Sequence, residues 1–207
     1  MRVLALATWL VLAACGRTND AEGDSGKPLP GSDTTREQAR FDADRRPDLI
    51  IKALDIGPGS HVADIGASSG LLTVHLARAV APNGKVVATD IDKGVLDLLE
   101  ERLAAAKLSD VVERKVVAAD TPGLDANSFD VILLAEVDHL ITDEVAWLKA
   151  AIPALKPNGR IAISNKIHRR NQSMAAAVKA GLVLKSESTP VPTHFIAVYM
   201  PPGGKDK

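Results

Sequence analysis

Apolar positions along the chain alternate between short unbroken runs and stretches that repeat every three or four residues. Val62, Ala63 and Ile65 form such a run. It breaks at Gly66-Ala67-Ser68-Ser69-Gly70, and apolar residues resume at helical spacing over residues 71–80. Pro82-Asn83-Gly84 marks a turn, and Val86-Val87-Ala88 begins a second buried strand that ends in Asp90. Residues 61–92 therefore predict strand, tight turn, helix, turn, strand: a βαβ unit with only small residues at its first strand-to-helix turn. Such a loop lets a ligand approach the backbone beside a helix N-terminus. An acid at the end of the next strand, about 20 residues on, is placed to accept hydrogen bonds from ribose hydroxyls.

The rest of the pattern extends this unit in both directions. Residues 34–43 have a weak helical pattern that fits either a lid over the small-residue loop or a continued tether. Residues 45–56 predict a helix with Pro47 at its first position, stopped by Gly57-Pro58-Gly59. Downstream come an amphipathic helix over 93–108 and a third strand over 111–119, ending in a further acid, Asp120. Residues 129–137 are apolar enough for the centre of a parallel sheet. Thr142 is positioned to cap a helix over 143–155, and Lys156-Pro157-Asn158-Gly159 turns into a strand over 160–165. A helix over 171–180 ends at Gly181, and residues 182–187 and 193–200 predict the last two strands. Only residues 188–192 join them, too few for a crossover helix, so they must run antiparallel. The expected fold is α/β: a doubly wound, mostly parallel seven-stranded sheet with an antiparallel last strand.

Composition narrows the class. The chain has 207 residues, 46% hydrophobic and 25% charged, which suits one globular domain. A net charge of −1 and 3% aromatic residues offer neither a basic field nor a stacking platform, so no nucleic-acid partner is expected. Residues 1–14 are set apart from the fold: Arg2 leads an apolar run of ten residues followed by Ala13-Ala14. That is a signal-peptide pattern, too short to span a bilayer. Residues 16–33 are mainly Gly, Asp, Ser, Thr and Pro with almost no apolar content, a tether composition. Residues 15–44 are thus assigned to tether and possible lid, 45–201 to the domain, and 202–207 to a tail.

Two resemblances sharpen these expectations. D-x-G-x-x-x-G over Asp64–Gly70, followed by V-x-A-T-D ending in Asp90, resembles motifs I and II of class I S-adenosylmethionine-dependent methyltransferases. It differs from the dinucleotide pattern G-x-G-x-x-G in having Ser68, where the methyltransferase family also usually has Gly. Leu155-Lys156-Pro157-Asn158-Gly159 resembles that family's entry to its fifth strand, and an antiparallel final strand is the family's mark. The resemblance implies S-adenosylmethionine as cofactor and a small-molecule methyl acceptor. It implies cofactor contacts from Asp64, Gly66, Ala67, Ser68, Gly70, Asp90, Ile91, Asp120, Thr121 and Glu136. Separately, Leu12-Ala13-Ala14-Cys15 resembles the lipobox of bacterial lipoproteins. It implies a lipid on Cys15, the only cysteine, and an address on the membrane of the cell envelope, with the cytoplasm as the address if the lipobox is incidental.

Methyl transfer needs a base only when the acceptor must lose a proton. The candidates after the fourth strand are Glu136, Asp138 and His139, with His168 and His194 on the same rim. No two His or Cys stand at ligand spacing, so no metal is expected. Two other functions remain open. A surface-anchored binding module derived from a methyltransferase would not depend on Asp90. A nicotinamide-dependent reductase would need Tyr-x-x-x-Lys, whereas the only tyrosine, Tyr199, has Gly203 four residues on.

Overall fold

The computed structural model of the protein describes residues 32–203. The expectations for the signal segment, for Cys15 and for most of the tether and tail lie outside the described residues. Helices α1 (Ser32–Arg45) and α2 (Pro47–Ala53) come first, followed by β1 (His61–Ile65), α3 (Thr73–Val80), β2 (Lys85–Asp90), α4 (Lys93–Ala106) and β3 (Val112–Val116). The second half comprises β4 (Phe129–Ala135), α5 (Glu144–Ala151), β5 (Leu155–Lys166), α6 (Arg170–Lys179), β6 (Val183–Val191) and β7 (His194–Met200). The strands form one seven-stranded sheet in the order β3-β2-β1-β4-β5-β7-β6. All neighbours are parallel except β7, which runs antiparallel to both β5 and β6. Strand order reverses beside β1, between β2 and β4, which is where open α/β sheets place their ligands.

Alternation along the strands divides the core in two. Val62, Val86, Val131, Leu133, Ala162, Ile196 and Val198 pack under the α2–α4 layer. Ala63, Ile65, Ile132, Leu134, Ile161, Ile163, Phe195, Ala197 and Tyr199 face α5 and α6. Two residues apart along a strand is one face, one residue apart is the other. Most of these side chains are wholly buried, each stabilising the fold by roughly 1.5–3 kcal/mol.

Several boundaries differ from the sequence expectation, each for a local reason. Pro47 disfavours helical backbone in the residue before it. Arg46 accordingly turns left-handed (φ 49°), and Arg45 ends α1 instead of starting α2. Strand β3 stops at Val116, and Asp120 lies four residues beyond it in an exposed turn. The apolar residues 117–119 leave the sheet, and a cavity wall claims them. Asp143, not Thr142, caps α5: its carboxylate accepts from the Ala146 N–H at 2.9 Å. Strand β5 includes Lys156-Pro157-Asn158-Gly159, which bulge between the Phe129–Leu155 and Val131–Arg160 pairings.

Candidate active site

A cavity of about 440 Å³ opens beyond the carboxyl ends of β1, β2 and β4, lined among others by Gly66, Ser68, Thr89, Asp90 and Ile91. Its floor is the turn after β1, where Gly66, Ser68 and Gly70 all adopt positive φ (68°, 50° and 86°). A Cβ on Gly66 would lie 2.5 Å from Val137 Cγ2, so both conformation and space require glycine there. Ser68 tolerates the conformation because its backbone N–H is fixed, donating to Asp90 Oδ2 at 2.9 Å. Asp90 Oδ1 accepts from the Asp92 N–H at 3.1 Å. Each carboxylate oxygen has a second lone pair free for a further donor, a match for the two hydroxyls of a ribose.

The other walls suit a flat apolar group. Val117, Ala118, Pro122, Ile141 and Trp147 line the cavity, while Ile91 and Leu140 stand at it 64% and 71% exposed. Thr89 is fully buried on the same wall, and its Oγ1 has no partner among the described residues. A nucleoside with a polar tail fits this set of groups: acid acceptors for a diol, apolar faces for a base, and a small-residue loop for the tail. Six of the expected cofactor residues line the cavity: Gly66, Ser68, Asp90, Ile91, Thr121 and Glu136. Ala67, Gly70 and Asp120 stand off its wall, as does Asp64.

Asp64 has a different task. It is buried beneath the loop and accepts from Thr73 Oγ1 at 2.7 Å, tying the end of β1 to the first turn of α3. Burial pushes its carboxyl up to about 6; the Thr73 hydrogen bond opposes this and the Asp90 charge adds to it.

A second, more open cavity of about 980 Å³ lies between α1 and the ends of β4, β5 and β7. Glu136 lines both cavities. Its backbone is left-handed (φ 57°), held by the Glu136 N–H donating to Ser164 O at 2.8 Å. Arg45 donates to Glu136 Oε2 from the end of α1, and His194 Nε2 is 3.1 Å from Oε1. Lys166 Nζ stands 4.0 Å from the same Oε1. Burial works against ionisation of Glu136, but His194, Arg45 and Lys166 outweigh it and hold the carboxyl below its ordinary range.

Helix α1 is docked on the loop side of the domain. Gln38 donates to Leu71 O at 3.0 Å, and Arg102 of α4 binds Ser69 O, Gln38 and Glu37 at 2.9–3.0 Å. His75 Nε2 lies 2.7 Å from Asp42 Oδ1. The weak apolar pattern of residues 34–43 has a physical cause: polar side chains hold most of this helix, with Phe41 alone reaching the core.

The candidates after β4 separate onto two faces. Asp138 is 1% exposed, its carboxylate taken up by Asn165 Nδ2 and Ser173 Oγ. His139 Nδ1 lies 3.1 Å from the same Asn165 amide. Asn165 pairs with Phe195, so it faces α5 and α6, whereas Lys166 pairs with His194 and faces the second cavity. His168 lines that cavity as well, exposed. Tyr199 is fully buried in β7, on the wall of neither cavity. Arg45, Lys166, Thr193 and Thr89 were not legible as site residues. Their positions follow from strand order and from the docking of α1, for which no local motif exists.

Residues 63–161 match a family model described as "Methyltransferase domain". The chain is 34% identical over 104 residues to the demethylmenaquinone methyltransferase of Symbiobacterium thermophilum, half of this chain and 41% of that protein. It is 29% identical over 127 residues to a probable cobalt-precorrin-6B C(15)-methyltransferase of Thermoplasma volcanium, 59% of each. The chain thus spans about two-fifths to three-fifths of the length of these curated relatives. A SAM-dependent methyltransferase from Aquifex aeolicus superposes with a TM-score of 0.72 at 18% identity, over 81% of this chain and 96% of that one. The [4+2]-cyclase SpnF superposes at 0.63 and 16%, over 70% and 60%. The protein has the class I, Rossmann-like methyltransferase fold. The cyclase is a reminder that this fold hosts more than one chemistry.

Proposed function

We propose that the protein is an S-adenosylmethionine-dependent methyltransferase that acts on a small molecule. The observation that carries this is the meeting of two cavities at Glu136. One has the Asp90 carboxylate, the small-residue loop and the apolar walls that an adenosyl group with an amino-acid tail needs. The other is an open chamber in which a second reactant can lie. The methyl donor's sulfonium is already activated when bound, so the protein's contribution is placement of the two reactants. Gly66, Ser68, Asp90, Ile91 and Thr121 would hold the donor, with Asp64 supporting the loop from beneath. The names of the curated relatives describe those proteins' acceptors. Arg45, Lys166 and His194 lie outside residues 63–161, the part matched by the family model. Calorimetry with S-adenosylmethionine and S-adenosylhomocysteine tests the reading. Saturable binding of both is the result it requires, and no heat from either at high protein concentration overturns it.

We also propose that Cys15 is lipidated and that the domain hangs from the envelope membrane by the segment that follows. The support is the sequence Leu12-Ala13-Ala14-Cys15 behind an apolar run. No helix among the described residues is long and apolar enough to cross a membrane. A diacylglyceryl anchor would hold stably where one acyl chain would not. Wild-type protein should then fractionate with membranes until detergent is added, and Cys15→Ser should accumulate at the mass of the uncleaved chain. Cytosolic wild-type protein with Met1 intact overturns this proposal and leaves the methyltransferase reading standing.

A further inference from the structure

The charges that line the second cavity do not balance. Glu37 is paired with Arg102 at 2.9 Å, and Arg40 with Asp44 at 3.7 Å. Around Glu136, by contrast, two cations share one carboxylate. Arg45 takes its Oε2, and His194 Nε2 stands 3.1 Å from its Oε1. Lys166 Nζ is 4.0 Å from that same Oε1, beyond hydrogen-bond length. The three N–H donors of Lys166 therefore have no acceptor among the described residues, and its side chain is 57% exposed. His194 does not alter the count. Burial first holds it below the ordinary histidine range, with Glu136 opposing and Arg45 and Lys166 adding, so it is neutral at neutral pH.

We propose, on the methyltransferase reading above, that the methyl acceptor carries a carboxylate and that Lys166 is the residue that selects it. Lys166 ends β5, paired in register with His194 at the start of β7, and both line the cavity. Two residues on, His168 lines it as well, exposed, and its imidazole N–H is a further donor. Phe41, Leu71 and Ile167 supply apolar surface for the body of the ligand. One unmatched positive charge answers one negative charge. A carboxylate brings one, whereas a phosphate monoester brings about 1.5–2 at neutral pH and would over-compensate the site. A hydrogen bond from an ammonium to a carboxylate is also stronger than one to a neutral acceptor. Glu136 borders both cavities, so a ligand anchored at Lys166 is held beside their junction, where placement counts most.

The experiment uses the full chain saturated with S-adenosylhomocysteine, and benzoate with its uncharged counterpart benzamide as probes. In calorimetry benzoate should bind saturably and benzamide at least roughly tenfold more weakly, the loss expected for a hydrogen bond to a charged group. Lys166→Gln should bring benzoate down to the affinity of benzamide, and Lys166→Arg should restore it to within about threefold of wild type. Both variants should bind S-adenosylhomocysteine within about twofold of wild type, since Lys166 does not line the cofactor cavity. A second readout places the anion. The charged groups that face His194 are Glu136 from the end of β4, Arg45 from α1 and Lys166 from β5. A bound carboxylate beside them favours imidazolium, so benzoate should move the His194 titration to higher pH and benzamide should not. Nitrogen-15 imidazole resonances follow this, with His194 identified by the signal lost in His194→Gln.

No benzoate binding to the wild type, equal affinity for benzoate and benzamide, or benzoate affinity unchanged in Lys166→Gln each overturns the proposal. Displacement of benzoate by an equal concentration of inorganic phosphate overturns it too, because the patch would then be a general anion site. Absence of S-adenosylhomocysteine binding to the wild type is a separate result: it removes the methyltransferase reading on which the acceptor's role rests.

Discussion

Two acids follow β4, two residues apart, and each has a histidine beside it, yet the two clusters are unlike. Asp138 is 1% exposed and its carboxylate is saturated by Asn165 and Ser173, with His139 beside them, under α5 and α6. Glu136 is partly open and borders two cavities, and its partners Arg45, His194 and Lys166 are cationic or titratable. Composition alone would have ranked them equal. What separates them is whether hydrogen-bonding capacity remains after the protein's own groups are satisfied. A buried, saturated acid holds structure, and one with a free face can do chemistry.

The largest effect that would sharpen this contrast is on stability. Asp138→Ala leaves the Asn165 amide and the Ser173 hydroxyl without their buried acceptor, which should cost about 3–5 kcal/mol in denaturant unfolding. Glu136→Gln keeps an acceptor for Arg45 at a partly exposed position and should cost about 1 kcal/mol. Equal losses in the two variants would break the distinction.

Asp64 extends the comparison to an acid that is buried but accepts a single side-chain hydrogen bond in the structure. Its carboxyl is raised to about 6 by burial first, with the Asp90 charge adding and Thr73 opposing. A native pKa above the unfolded value means that the folded state binds more protons. Stability from this group is therefore full below the unfolded pKa and is lost as pH rises through about 6. Asn at this position still accepts from Thr73 and does not titrate. Between pH ~4 and ~8 the unfolding free energy of Asp64→Asn should gain about 3 kcal/mol on the wild type. A difference independent of pH would show that Asp64 is not held by burial.

Much of the fold was legible because it depends on local periodicity and on linker length. The βαβ unit follows from apolar runs broken by small residues, and the antiparallel pair β6–β7 from a connection too short for a helix. Asp90 was legible as a strand end, whereas Asp120, expected at the end of a strand, lies four residues beyond β3. Asp90 lines the cavity because β2 ends at the sheet's rim, whereas Asp120 stands off it because residues 117–119 leave the strand to form a wall. The second cavity was the least legible. His194 reaches Glu136 across 58 residues, and only because β7 inserts between β5 and β6. Nothing in the local sequence of either residue encodes that insertion.

The third effect is on binding. Asp90 accepts two backbone N–H groups and retains a lone pair on each oxygen toward the cavity. Asp90→Ala should weaken S-adenosylhomocysteine binding by about 1.5–3 kcal/mol, the value of a hydrogen bond to a charged group. It should also loosen Ser68, whose left-handed backbone would lose its acceptor. Unchanged affinity would favour a binding module with another ligand over a methyltransferase, since such a module would not depend on this carboxylate.

The smallest effect is the most pointed, because it concerns the histidine that the order of residues favours. His139 directly follows Asp138 and stands three residues after Glu136, the place where a chain read as a string would put the base. In the fold its ring points to Asn165, on the α5–α6 face, and it lines neither cavity. Its hydrogen bond is to an amide already engaged by Asp138, so a glutamine at the position can satisfy the same groups. His139→Gln should change stability by no more than about 0.5 kcal/mol and leave S-adenosylhomocysteine affinity within about twofold of wild type. A loss of S-adenosylhomocysteine affinity in this variant, with His194→Gln unaffected, would move the open site to the opposite face of the sheet. The contrast between the saturated acid and the open one would then be reversed.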